Sequence, residues 1–190
     1  MAERKSTQRD PENSWEVLAP AEQTTPVVLA SPHSGRDYPA DFVANSPLDL
    51  LALRRSEDSF VDDLFAAAPS LGMPLLRALF PRAYIDPNRE PFELDPEMFH
   101  DELPDYANTQ SSRVAAGLGT IARLVSSGQE IYASKLTFAD AAARINANYR
   151  PYHRALRDLL DATRRRFGHY VLLDCHSMPS GAADQAARGS

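Results

Sequence analysis

This sequence predicts an α/β protein with a mixed, mainly parallel sheet flanked by helices, on three observations. Two short apolar runs, Val27-Val28-Leu29-Ala30 and Tyr170-Val171-Leu172-Leu173, are bounded by turn residues and read as buried strands. Between them lie stretches with helical spacing, so strands alternate with helices. Each run then gives way to a histidine and a serine, in Pro32-His33-Ser34 and Cys175-His176-Ser177. Titratable residues just past a buried strand are where an α/β protein places its site. The two strand ends are therefore expected to lie together and share a metal ion.

Composition narrows the function class. The chain has 190 residues, enough for one sizeable core. Its net charge of -6 argues against nucleic acid or an anionic membrane as the main partner and leaves a small-molecule substrate. No apolar run approaches the roughly 20 residues of a membrane span. The polar residues 1–15 have no signal-peptide core, so a cytoplasmic location is expected. Cys175 is the one cysteine, which excludes an internal disulfide and a four-cysteine zinc site. Any metal must be held by histidine and carboxylate. No P-loop and no GxGxxG motif occurs, which weakens a nucleotide-binding reading.

Taken in order, residues 1–25 are charged and polar and are expected to form a flexible segment, with Trp15-Glu16-Val17-Leu18 packing late. Residues 26–190 form the folded domain. The first strand covers 27–30, and Pro32, Gly35 and Pro39 punctuate the loop after it. Ser46-Pro47 reads as a helix start. Phe60, Val61, Leu64, Phe65 and Ala68 follow at helical spacing up to Gly72. Residues 75–80 and 83–85 look extended, broken by Pro81. Residues 92–112 form a long irregular loop, the kind that is usually functional or mobile. A strand is expected over 120–125. Thr137, with Asp140 as a capping-box acid, starts the longest helix. Its stripe runs through Phe138, Ala142, Ile145, Tyr149, Tyr152, Leu156, Leu159 and Thr163. Pro151 should kink it, and Gly168 should end it.

Chemistry concentrates at a few residues. His33 and His176 at two strand ends, with one carboxylate, would leave a zinc ion an open position for water. The plainer alternative is two loop histidines with ordinary hydrogen bonds. The acids Glu57-Asp58 and Asp62-Asp63 could supply the carboxylate, or could simply favour a helix N-terminus. Asp174 lies two residues before His176, on the same side of an extended chain, and could fix the imidazole tautomer. His153, on the long helix, could orient the site. Arg82 and Arg89 suggest recognition of a carboxylate through bidentate bonds, with an Arg-Asp pair to Asp86 as the alternative. Asn88 could donate its amide to an acyl oxygen. Cys175 follows a buried strand and reads as inert packing.

Five ordered motifs resemble the N-formylglutamate amidohydrolase (N-formylglutamate deformylase) family. They are Ser31-Pro32-His33-Ser34-Gly35, Asp58-Ser59-Phe60-Val61-Asp62 and Arg82-Ala83-Tyr84-Ile85-Asp86-Pro87-Asn88-Arg89, then Tyr149-Arg150-Pro151-Tyr152-His153 and Asp174-Cys175-His176-Ser177. The resemblance implies a zinc-carboxypeptidase-like fold and hydrolysis of N-formyl-L-glutamate to formate and L-glutamate in histidine breakdown. It implies Zn²⁺ held by His33, His176 and Asp58, with Glu57 as the alternative carboxylate. It makes Arg82, Asn88 and Arg89 substrate-binding residues, and His153 and Asp174 the candidate catalytic pair. Two departures stand out. The zinc-peptidase pattern His-x-x-Glu is absent, since Arg36 follows His33 by three. Family members also run well beyond the last motif, so the domain is expected to be C-terminally incomplete and to expose an apolar sheet edge. No general-base glutamate can be matched, which keeps open a shortened, non-catalytic member that binds acidic amino-acid derivatives.

Overall fold

The computed structural model describes residues 6–9, 14–178 and 180. Its sheet is built from β1 (Ser6–Arg9), β2 (Trp15–Ala19), β3 (Val27–Ser31), β4 (Leu75–Ala78) and β5 (Val171–Asp174). They lie side by side in the order β1-β2-β4-β3-β5. β3 pairs in parallel with both β4 and β5, while β1-β2 and β2-β4 are antiparallel. The sheet is thus evenly mixed, with its parallel half at β4-β3-β5.

From β3 the chain goes first to β4 on one side and later to β5 on the other. A crevice opens beyond the carboxyl ends of parallel strands at such a switch point. The residues after Ser31, Ala78 and Asp174 all emerge at that edge. Gly35 lets the loop after β3 lie against the chain leaving β4, because a Cβ there would sit 2.1 Å from the carbonyl oxygen of Phe80.

Six α-helices appear in the described residues: α1 (Ala40–Ala44), α2 (Leu50–Leu53), α3 (Val61–Leu64), α4 (Ser112–Ala115), α5 (Phe138–Arg144) and α6 (Arg150–Phe167). α6 lies over β3 and β4. Tyr152 and Ala155 join Leu76, Ala78 and Phe80 in the main core. On another side of the sheet, Leu29 and Leu75 meet Val61, Ala68 and Cys175. Leu29, Leu75 and Leu76 are buried, each contributing roughly 2 kcal/mol of apolar burial.

α5 begins as its sequence suggests. The Thr137 side chain accepts from the Asp140 N–H, and the Asp140 side chain accepts from the Thr137 N–H. Between α5 and α6 the chain makes a π-helical turn over Ile145–Tyr149. Pro151 has no N–H for the regular ladder, and the wider turn absorbs the lost bond. Gly168 ends α6 at φ 82°, which suits glycine. No helix among the described residues is long and apolar enough to cross a membrane.

The structure corrects several sequence expectations. Within residues 1–25, Trp15–Ala19 is a strand between β1 and β4, with Val17 buried in the main core. The polar composition around it hid a strand whose partner, β4, is distant in sequence. Residues 120–125 form no strand apart from one isolated bridge, Leu124 to Glu130. Instead the Thr120 N–H bonds the Glu93 carbonyl, and the Thr120 carbonyl accepts from the Asp86 N–H. Residues 83–85 turn, with the N–H groups of Tyr84 and Ile85 both donating to the Pro81 carbonyl. Ser46 does not start a helix. Its hydroxyl donates to the Ile131 carbonyl, while Asp49 caps α2 by accepting from the Ala52 N–H. β5 forms where expected but is exposed along its whole length, because β3 is its one neighbour among the described strands.

Candidate metal centre

His33 leaves the carboxyl end of β3 and is almost fully buried. Its ring is fixed from behind by Asp86, whose Oδ1 lies 2.8 Å from Nε2. Burial alone would raise the Asp86 pKa, but the bond to His33 and the charges of Arg82 and Arg89 hold it well below the usual carboxylate range. An ionised carboxylate only accepts, so Nε2 carries the proton. In the neutral imidazole Nδ1 is then a bare lone pair. That nitrogen is buried and has no hydrogen-bond partner among the described residues. Asp58 Oδ2 lies 3.4 Å from it, an ion-pair distance without hydrogen-bond geometry.

Asp58 is buried too, and its position is fixed through the backbone. Its N–H donates to the His33 carbonyl at 3.0 Å. Its own carbonyl accepts from the Ser34 hydroxyl, which in turn accepts from the Asp62 N–H. Two residues on, Phe60 has φ 66°, a left-handed conformation that costs a side-chain-bearing residue about 1 kcal/mol. That bend lets the chain turn from Asp58 straight into α3.

His176 completes the group from the end of β5. Nδ1 lies 2.8 Å from Asp58 Oδ2, and Nε2 lies 2.9 Å from Asp174 Oδ2. Burial lowers the His176 pKa, but bonds to Asp174 and Asp58 outweigh it and raise the net value. Burial raises the Asp58 pKa, and its contacts with His33 and His176 bring it down overall. Ligand atoms of His33, Asp58 and His176 all lie within 4.8 Å of one another. Each imidazole has a carboxylate at its far nitrogen, and both near nitrogens face one carboxylate oxygen. His176 Nδ1 donates to Asp58 here, and a divalent cation that displaced this proton would meet one electron pair from each of the three residues, a donor set that suits such a metal.

The other acids go elsewhere. Glu57 accepts from the Tyr38 hydroxyl, Arg54 and the Ser59 hydroxyl, so Asp58 is the one of the pair that reaches the histidines. Asp62 accepts from Arg36 and Arg77.

A model of the N-formylglutamate amidohydrolase family matches residues 25–189. The chain belongs to that family. It is 26% identical over 166 residues to an N-formylglutamate deformylase of Pseudomonas putida, covering 86% of this chain and 56% of that one. The crystal structure of N-formylglutamate amidohydrolase from Ralstonia eutropha JMP134 superposes with a TM-score of 0.82 at 38% identity. That match covers 92% of this chain and 61% of the Ralstonia chain. A protein of Agrobacterium tumefaciens shares the fold, with a TM-score of 0.57 at 18% identity and coverage of 92% and 57%. The chain thus spans a little over half the length of the relatives it matches.

Around the cluster of this family member, one loop organises the remaining expected residues. Arg82 donates through Nε to Asp86 Oδ2 at 3.1 Å. Arg89 is turned into the protein: Nε donates to the Leu118 carbonyl, Nη1 to the Asn88 carbonyl, and Nη2 lies 3.6 Å from Asp86. Asn88 Nδ2 donates to Asp174 Oδ2 at 2.9 Å and lies 3.0 Å from His176 Nε2. His153 sits under the loop rather than at the converging donors, with Nε2 2.8 Å from the Pro87 carbonyl. Burial lowers its pKa, against the opposing bond to Pro87. The Tyr149 hydroxyl donates to the Arg89 carbonyl, so α6 and the turn before it pin this loop at two points.

Sequence reading missed that Asp86 is the partner of His33. The Arg82-Asp86 spacing suggested a simple ion pair, and only the fold brings His33 within reach. Cys175 is buried, its N–H bonded to the Ala30 carbonyl, and burial pushes its thiol up to about 11. A cavity of about 540 Å³ opens beside the cluster, lined by Asp58, Asp86, Arg82, Arg55, Leu118 and Leu124 among others.

Proposed function

We propose that the chain is a zinc-dependent amidohydrolase that cleaves the formyl amide of N-formyl-L-glutamate, or of a related N-acyl amino acid, to formate and the free amino acid. The observation that carries this reading is the convergence of His33 Nδ1, Asp58 Oδ2 and His176 Nδ1 beside an open cavity. Zinc held by these three residues would supply Lewis acidity toward the acyl carbonyl and toward water. Asp86 and Asp174 hold the far-side protons of the two imidazoles, keeping the near nitrogens as ligands. Arg82 offers donors to a substrate carboxylate, and Asn88, beside His176, lies within the same arrangement. His153 and Tyr149 hold the loop that carries Asp86 and Asn88. Formate and glutamate as products suit a cytoplasmic step of histidine breakdown.

A second reading has its own support. The carboxylates lining the cavity are already committed: Glu57 to Tyr38 and Arg54, Asp58 to two imidazoles, Asp86 to His33 and Arg82. None of them stands free to take a proton from water, help that is typically worth 10²–10⁴-fold. This favours a member that binds acidic amino-acid derivatives without cleaving them. One experiment separates the two. Purified chain is expected to carry stoichiometric zinc and to release formate from N-formyl-L-glutamate. Zinc with substrate binding but no formate selects the second reading. No zinc, with His33→Ala changing nothing, removes both.

A further inference from the structure

The arginine that meets a second substrate carboxylate is decided by which guanidinium is free. Arg89 has its Nε and Nη1 on backbone carbonyls, so turning it toward a ligand would break the loop it holds. Arg82 uses Nε for Asp86, while its terminal nitrogens make no hydrogen bond among the described residues. Its side chain is 28% exposed, and the residue lines the cavity beside the metal cluster.

Arg55 lines that same cavity. Its guanidinium makes no hydrogen bond, ion pair or ring contact among the described residues. Its neighbour Arg54, by contrast, is committed to Glu57. Yet the Arg55 backbone is held firmly. Its carbonyl accepts from the Ser126 hydroxyl at 2.6 Å, and the Ser56 hydroxyl accepts from the Ser126 N–H. The backbone is thus placed at the cavity wall, while the guanidinium is free to take an anion at the usual cost of ordering a long side chain. Between the charged groups the lining is apolar, with Ala83, Leu118, Ala122 and Leu124, which suits a short aliphatic chain.

We infer that Arg55 and Arg82 together form a two-point carboxylate anchor that selects a dicarboxylic N-acyl amino acid, with Arg55 as a specificity-determining residue. This rests on the amidohydrolase reading for the choice of substrate. The binding part stands independently, because the Arg55 guanidinium and the terminal nitrogens of Arg82 offer two sets of free donors in one cavity, while the lining acids are each held by other partners.

Arg55→Gln tests it in the full chain, with N-formyl-L-glutamate compared against N-formyl-L-glutamine, which lacks the side-chain carboxylate. KM for N-formyl-L-glutamate should rise about 10- to 100-fold, as expected for a lost hydrogen bond to a charged group. KM for N-formyl-L-glutamine and kcat for both should change little, and Arg55→Lys should recover part of the loss. Zinc content and circular dichroism unchanged from wild type show that the variant folds. If wild type cleaves neither compound, the amidohydrolase reading fails, and calorimetry with glutarate and butyrate tests the anchor alone. Tighter binding of glutarate, lost in Arg55→Gln, supports it. Retention of the dicarboxylate preference in Arg55→Gln, or no such preference in wild type, overturns it.

Discussion

His33 is carried by β3, which has β4 on one side and β5 on the other, whereas His176 is carried by β5, which has β3 alone among the described strands. The two histidines share one chemistry: a near nitrogen facing Asp58 and a far nitrogen on a carboxylate. Their supports differ. Asp86 is buried, and Arg82, Arg89 and the Asn88 N–H all approach it. Asp174 is 43% exposed, and Asn88 and His176 are its contacts among the described residues. The comparison separates two tasks that a carboxylate behind a metal-binding histidine can perform. Asp174 serves the imidazole and, at a partly exposed position, the Asn88 amide. Asp86 serves the imidazole and also ties the loop after β4 into the fold.

Replacing the two carboxylates therefore sharpens the distinction. Asp86→Asn is expected to do the most damage, because it removes the one buried carboxylate shared by the His33 ring and the partly buried Arg82 and Arg89. A loss of about 3 kcal/mol in urea denaturation is expected, with zinc affinity lowered about 10- to 100-fold. Asp174→Asn should lower zinc affinity by about tenfold and shift stability by no more than about 0.5 kcal/mol, since the group is partly exposed. Equal stability losses in the two variants would erase the contrast. Unchanged zinc affinity in both would remove the carboxylates from any part in holding the metal.

The sequence revealed the two histidines because both follow short apolar runs, and the pairing of β3 with β5 puts the ends of those runs together. Asp58 was legible from residue type only as one of four acids, and the family resemblance preferred it with Glu57 as the alternative. The choice against Glu57 depends on Tyr38 and Arg54, whose side chains capture Glu57. Asp86 was visible as a residue but not as the partner of His33, because no local spacing links positions so far apart in the chain. The strand Trp15–Ala19 was hidden for a similar reason: it is recognisable by its pairing with β4 and not by its own composition. The apolar run of β5 marked a strand correctly, and among the described residues that strand lies at an exposed apolar edge rather than buried. Periodicity reports what a segment could bury, and Val171, Leu172 and Leu173 stand exposed at the edge.

The smallest effect belongs to the residue between the two ends of the β5 arm. Cys175 lies between Asp174 and His176, and its thiol is next in sequence to the His33-Asp58-His176 group. Its side chain points away from that chemistry, into the cluster formed by Leu29, Val61, Ala68 and Leu75, with Sγ 3.5 Å from the Leu173 carbonyl. It is the buried residue on an arm whose strand is exposed, so it pins β5 to the core. Cys175→Ala should cost about 1 kcal/mol, seen as a fall in Tm of about 2–4 °C. Zinc content should stay at the wild-type level, because alanine leaves His33, Asp58 and His176 in place. Loss of zinc without loss of Tm would give the thiol a place at the metal and would break the division between a ligand-bearing and a packing face of this arm.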